Sequence, residues 1–399
     1  MSAAYWRKAM NAAAAGQAWP HAPGNDAARA RSSTTPARWS DDSKHNASAW
    51  LNWIGQRVSA RHVLVLVGVL IYPWIATPFF TFQIGAQSLA LGLIALSLTF
   101  LAGYGGMVSL AQMTVAGIAG YMVAIFGTSS MPAISLGWPW WLAVLIAITI
   151  ATVCATLIGW LSVRTEGIYT IMITLAIGVA FHYLAQQNYA LFNGWQGFQR
   201  VLTPNALGVD WRGPIPFYYL ALAWALAGYF FVQYLIRAPF GIALQGTRDN
   251  PRRMNSLGFN VTAHRVAAYA VAGVIAAIGG VLMVWYNGLI SPGSIGTSWL
   301  INILIIAVLG GMRHPIGPFI GAIVFVLLQN FAVDLIDRER FNLVIGGVFL
   351  AIVLFSPDGL LGLWSRLHVR LRSGAQSRLT GRDARHTSST VAARAPLSS

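Results

Sequence analysis

Apolar residues dominate the chain in long stretches, and short breaks rich in Gly, Pro, Asn or Arg separate them. A helix rises about 1.5 Å per residue, so about 20 apolar residues cross the roughly 30 Å hydrocarbon layer of a bilayer. The pattern predicts spans over 63–82, 86–102, 108–126, 140–162, 168–186, 215–236, 266–287, 299–312, 316–335 and 343–356. A membrane β-barrel would instead show segments of about ten alternating residues, and none stands out. The spans are therefore read as helices, which satisfy their own backbone hydrogen bonds in lipid. The fold class expected is an all-α polytopic membrane protein with about ten transmembrane helices. The third and eighth spans are Gly-rich or short, and 103–126 is open to a broken or re-entrant reading.

Composition agrees with this class. The 399 residues are 56% hydrophobic and 9% charged, against about 25% charged in soluble domains. The net charge of +15 invites a nucleic-acid reading, but the basic residues lie in tails and in loops between apolar runs, where they act as topology signals. Ten spans place both termini on one side. With that side cytosolic, only Arg200, Arg212, Arg338 and Arg340 of the 26 Lys and Arg residues fall outside. The bias predicts cytosolic N and C termini, with anionic lipid as neighbour and no nucleic acid as partner.

Three regions follow: a basic, disordered tail over 1–60, a transmembrane domain over 61–364, and a second basic, disordered tail over 365–399. The tails are rich in Ala, Ser, Arg and Thr or Pro and lack apolar periodicity, a composition that cannot bury enough surface to fold. The first apolar run begins near His62, too late for a secretory leader. Cys154, the single cysteine, excludes an internal disulfide and reads as a thiol in a helix interface.

Several chemistries are missing. None of the 11 acidic residues falls in mid-span, whereas proton-coupled carriers use intramembrane carboxylates as relays. Glu166 is read at the start of the fifth span, complementing a helix N-terminus. His182 is the one ionisable group deep in the apolar zone, and it reads either as a helix-packing residue or as a pathway group. The only lysines are Lys8 and Lys44, so no phosphate-binding loop can be built. No spacing of Cys, His or carboxylates forms a metal motif. The expectation is a non-enzyme that binds no cofactor or metal of its own.

Three segments break the monotony. Residues 103–121 hold five glycines, including Gly103, Gly106 and Gly120, which either pack helices closely or start a half-helix at depth. Ser109, Gln112 and Thr114 are the polar groups there. Residues 238–265 form the longest inner loop. Asp249 or Asn250 can cap a short helix starting at Pro251, and Gly258 can end it. This segment reads either as a surface that a separate motor protein pushes or as an amphipathic stretch on anionic lipid. Residues 310–322 carry Gly310, Gly311, Gly317 and Gly321, the last two in GxxxG spacing. The triplet GGM occurs at 105–107 and 310–312, a hint of internal duplication.

In these segments, and from about residue 85 to 360, the chain resembles the permeases of branched-chain amino acid ABC importers of the LivM type. Gly103, Gly106, Ser109, Leu110, Gly120 and Tyr121 match the Gly-rich Ser-Leu segment and the Gly-Ala-Tyr after it. Gly167, Tyr169, Thr174, Leu175 and Ala176 match a Gly-x-Tyr followed by Thr-Leu-Ala. NGWQGF at 193–198 is similar to the Gly-rich outer segment. Pro239, Phe240, Gly241, Ala243, Leu244, Arg248, Asn250, Leu257, Gly258 and Asn260 match the inner loop. Ile290, Ser291, Pro292, Ser298, Gly310, Gly311, Gly317, Pro318, Gly321 and Ala322 match the segments that follow. Ala111 and Gln112 stand where Gly-His is usual, and Pro251, Arg252 and Arg253 where Glu and Ala are usual. Substrate therefore stays open among branched-chain amino acids, urea, amides and aromatic acids.

The resemblance implies a multi-pass permease of the bacterial inner membrane. Its implied partners are ABC ATPase subunits that use ATP, a LivH-type second permease and an extracytoplasmic binding protein. It places ATPase coupling on Phe240, Gly241, Leu244, Arg248, Asp249, Asn250, Leu257 and Gly258. Substrate contacts are sought at Ser109, Gln112, Thr170, Thr174, His182 and Ser298, because a zwitterion wants hydroxyls, carbonyls and a helix N-terminus. Rival readings are an ion-coupled secondary carrier, a membrane enzyme and a scaffold protein.

Overall fold

The computed structural model describes residues 60–335, apart from 202, 205–207, 209 and 210, together with scattered positions between 346 and 362. The tails at 1–60 and 365–399, except Ala60, lie outside the described residues, as does nearly all of the tenth expected span. The chain divides into units of residues 1–69 and 70–399. The first contributes the beginning of helix α1, Ala60–Ile75.

The first expected span, 63–82, ends early. Helix α1 stops at Ile75, and Thr77 precedes Pro78, whose ring disfavours helical geometry in the residue before it. Helix α2, Phe80–Tyr104, is longer than the 86–102 expected. Its middle, Gln87–Thr99, is α-helical, and π-helical turns flank it at Phe80–Ala86 and Phe100–Tyr104. Leu91, Ile94, Leu96 and Leu98 are wholly buried. A helix that is apolar on every side belongs in the interior, and α2 is the central post of the bundle.

Around it stand helices α3 (Gln112–Phe126), α4 (Trp140–Ser162), α5 (Ile168–Gln187), α6 (Pro214–Arg237), α7 (Pro239–Asp249), α8 (Pro251–Ser256), α9 (Val261–Asn287), α10 (Thr297–Gly310) and α11 (Gly317–Leu335). Among the described residues, α2, α4, α5, α6 and α9 are long and apolar enough to cross a membrane, and α3, α10 and most of α11 are apolar but shorter. The ten-span count therefore does not follow from helix length.

Small residues set the packing. On α4, Ala143, Ala147, Ala151 and Ala155 recur every fourth position, hence on one face, and all are buried. Trp141, Leu145, Val153 and Leu157 point outward. Helix α9 packs against α2, α3 and α4, and a Cβ on Gly280 would strike the Ala116 backbone of α3. Gly310, Gly317 and Gly321 bring α10 and α11 into backbone contact: a Cβ on Gly310 would meet the Gly317 carbonyl, and one on Gly321 the Ile306 carbonyl.

One feature departs from the all-α expectation. Strands β1 (Phe198–Gln199) and β2 (Leu289–Ile290) pair antiparallel, with Phe198 opposite Ile290. The Val201 N–H donates to the Gly288 carbonyl at 3.0 Å, and the Ser130 N–H to the Gln199 carbonyl at 2.9 Å. Three loops at this end of the bundle are thereby joined. The opposite end carries α7, α8, the turn after α4 and the loop from α10 to α11.

Candidate functional site: the break between two helices and its surroundings

The chain breaks between Tyr104 and Gln112. The Gly-rich sequence explains where: Gly106 has φ +70°, a conformation that costs a residue with a Cβ about 1–2 kcal/mol. The π-helical turn before it leaves the Met107 N–H bonded to the Leu101 carbonyl at 3.0 Å. Helix α3 then starts at Gln112 rather than at 108. Its 15 residues give about 22 Å of length, short of a full span.

The polar groups named from sequence meet at this break, with one exception at each edge. The Leu110 N–H donates to the Thr174 hydroxyl at 3.1 Å, and that hydroxyl donates to the carbonyl of Thr170 at 3.0 Å. Thr170 in turn donates to the Thr165 carbonyl at 2.9 Å. Gln112 accepts through Oε1 from the Ser97 hydroxyl of α2 at 3.0 Å. Ser109, Gln112 and Thr174 are at most 1% exposed. The Ser109 and Thr114 hydroxyls are buried without a hydrogen-bond partner among the described residues, a state that costs about 1–3 kcal/mol where a group is left wholly unpaired.

His182 and Ser298 do not join them. His182 lies two turns further along α5, where Nδ1 faces the Pro292 carbonyl at 3.0 Å. A carbonyl only accepts, so Nδ1 carries the hydrogen. Ser298 is exposed on the first turn of α10. Glu166 lies just before the helix it was expected to open. Gly167 caps α5, while the Glu166 carboxylate reaches Arg265 at 3.5 Å.

Other groups were not anticipated as a site. Ser97 supplies the donor to Gln112. The hydroxyls of Ser109 and Ser162 neighbour that of Tyr269, and none of the three is in hydrogen-bond geometry. Ser97 and Ser162 lie within apolar runs, and that isolation was the available signal. At the far end, Tyr286 donates to Gln83 at 3.0 Å beside a cavity of about 340 Å³ lined by Phe79, Phe82, Gln83, Arg212 and Tyr286.

The loop after α6 folds as two surface helices. Pro239 and Pro251 occupy first-turn positions, where a missing N–H is harmless. Asn250 caps α8 by accepting from the Arg253 N–H at 3.0 Å. Asp249 belongs instead to the end of α7. Gly258, at φ +87°, turns the chain after α8. Leu244 and Gly241 face inward, and Phe240 stacks on His264 with centroids 6.0 Å apart. Ile242, Leu257 and Phe259 stay exposed.

Arg248 reaches back from α7. Its Nη1 donates to the Gly103 carbonyl, and its Nε donates to Asp249 at 2.9 Å. On the other flank of the break, the Tyr104 hydroxyl donates to the Arg313 carbonyl at 3.1 Å. Both GGM triplets turn the chain through their second glycine, Gly106 at φ +70° and Gly311 at φ +103°.

The chain is similar to several known proteins. A 348-residue match to the high-affinity branched-chain amino acid transport system permease protein LivM of Escherichia coli is 24% identical and covers 80% of this chain and 79% of that protein. A probable branched-chain amino acid transport permease protein LivM of Methanocaldococcus jannaschii is 23% identical over 58% of this chain and 71% of its own length. The autoinducer 2 import system permease protein LsrC of Photorhabdus laumondii is 27% identical over 63% of this chain and 73% of its own. No solved structure matches. The family model described as branched-chain amino acid transport system / permease component matches residues 80–353, from the first turn of α2 to beyond α11. The chain belongs to that permease family.

Proposed function

We propose that this chain is the channel-forming permease subunit of an ABC importer in the bacterial inner membrane, with branched-chain amino acids as substrate. The observation that carries the reading is the family match over 80–353, which includes both the buried polar break and the α7–α8 surface pair. Separate ATPase subunits dock on α7 and α8, where exposed Ile242, Leu257 and Phe259 await a cover. A LivH-type permease completes the pathway, and an extracytoplasmic binding protein delivers substrate to the end bearing β1 and β2. That end faces outward, and both termini lie in the cytosol. The chain spans the membrane ten times between its two tails.

Within this assignment Ser109, Gln112, Thr170 and Thr174 supply the polar groups of the route, with His182 and Ser298 apart from them; the first four are buried and meet substrate when the helices part. ATP binding acts by differential affinity for inward-open and outward-open arrangements. A relative named for autoinducer 2 import makes the substrate the part of the reading that uptake has to test. The test is gentle solubilisation of native membranes with the chain tagged, followed by uptake in proteoliposomes. Co-purification of an ATPase and a second permease, with leucine uptake dependent on ATP and on a binding protein, is expected. A chain that purifies alone and moves solute on an ion gradient would overturn the reading in favour of a secondary carrier.

A further inference from the structure

We infer that Arg248 is the positioning residue that transmits motion of the α7–α8 surface pair to the break between α2 and α3. The inference rests on the importer reading above. Arg248 sits on α7 apart from the exposed apolar residues assigned to ATPase docking, and its guanidinium, though 39% of the side chain is exposed, reaches the break. Nη1 donates to the carbonyl of Gly103, within the terminal π-helical turn of α2. Asp249 holds the other edge, with Nε and Nη2 both 2.9 Å from its Oδ1. The two contacts aim the planar guanidinium at the Gly103 carbonyl, while the exposed pair with Asp249 adds little stability of its own.

The break is shaped to admit this side chain. A Cβ on Gly106 would land on the Arg248 stem. Leu244, one turn before Arg248, is wholly buried and lies against Gly105, where a Cβ would come within 3.7 Å of it. Helix α7 therefore grips the break by an apolar contact and by a charge-assisted hydrogen bond. On the far side, Tyr104 is bonded to Arg313. Three residues beyond Gly106 comes Ser109, then Leu110, whose N–H is tied to Thr174. Displacement of α7 would thus pull on Gly103 and shift the polar groups of the break, with no large rearrangement of α2 itself. π-Helical turns recur at such functional irregularities.

The test uses the whole transporter, purified with its partners and reconstituted with its binding protein. Uptake and ATP hydrolysis are read on the same vesicles, and ATPase content on a gel. Arg248→Gln removes the charge but keeps a polar side chain. The expected result is ATPase content unchanged, hydrolysis within two-fold of wild type, and uptake per ATP reduced about ten-fold. Arg248→Lys keeps one donor and should lose about three-fold; if the Gln variant does not accumulate, the Lys variant decides. Unchanged uptake per ATP in the variant that accumulates overturns the inference. Loss of the ATPase from the complex also overturns it, by making Arg248 a docking contact. Wild-type protein that binds no ATPase would instead sink the importer reading, so the two failures are distinguishable.

Discussion

The backbone N–H of Leu110 donates to the side-chain hydroxyl of Thr174 at 3.1 Å, linking the broken segment before α3 to the middle of α5. Both residues are buried, so no water replaces the bond. Thr174→Val keeps the shape and removes the acceptor. It should lower stability by about 1–3 kcal/mol, the cost of an orphaned buried N–H. Thr174→Ser should retain most of the stability. Thermal unfolding in one detergent compares the three, and a Val variant that melts with wild type would refute the importance of the link.

Gly321→Val should prevent α10 and α11 from closing, because its Cβ would meet the Ile306 carbonyl. Backbone cannot move aside as a flexible side chain can, so the cost exceeds the usual 1–3 kcal/mol of overpacking, about 3 kcal/mol or more. Size-exclusion chromatography should show aggregated or absent protein. Gly68→Val, where a Cβ meets nothing within 4 Å, serves as the comparison and should behave as wild type.

His182→Leu removes the hydrogen bond to the Pro292 carbonyl and should cost about 1 kcal/mol. The carbonyl is left without that donor, so the segment after β2 should loosen. Faster amide exchange over residues 289–296, with slow exchange retained in α2, is the expected signature. Unchanged exchange there would mean that the contact does not hold the segment.

Gly258→Val tests the turn after α8. A Cβ there meets nothing within 4 Å, so any effect comes from φ +87°, a conformation that penalises branched residues. Uptake per ATP should fall several-fold while the complex stays assembled, and Gly258→Asn should be milder. Equal coupling in the Val variant would remove the turn from the coupling route.

Much of this arrangement is legible in the chain itself. The period of apolar runs marks α4, α5, α6 and α9 to within a few residues, because lipid-length helices need continuous apolar sequence. Asn250, Pro251 and Gly258 mark α8, because capping chemistry is local. Gly103 to Gly106 mark the break for the same reason. What escapes is non-local. The pairing of Phe198 with Ile290 joins residues 92 apart in sequence, and two-residue strands carry no periodicity. The bond from Arg248 to the Gly103 carbonyl escapes too, since sequence does not say which distant carbonyl an exposed arginine meets. Ser298 was placed with the polar cluster by motif alone, and α10 leaves it on an exposed first turn.

The strand clasp between β1 and β2 has a mechanical counterpart. At that end, neighbouring loops are fastened by main-chain bonds such as Val201 to Gly288 and Ser130 to Gln199. At the other end, the ties between elements include single side-chain bonds such as Arg248 to Gly103 and Tyr104 to Arg313. A main-chain ladder opens as a unit, whereas separate side-chain bonds can each be lost without the others. The loops joined by β1 and β2 are therefore fastened to one another as a group, whereas a load on α7 reaches the break through a few named contacts and meets the polar groups there before it meets the clasp.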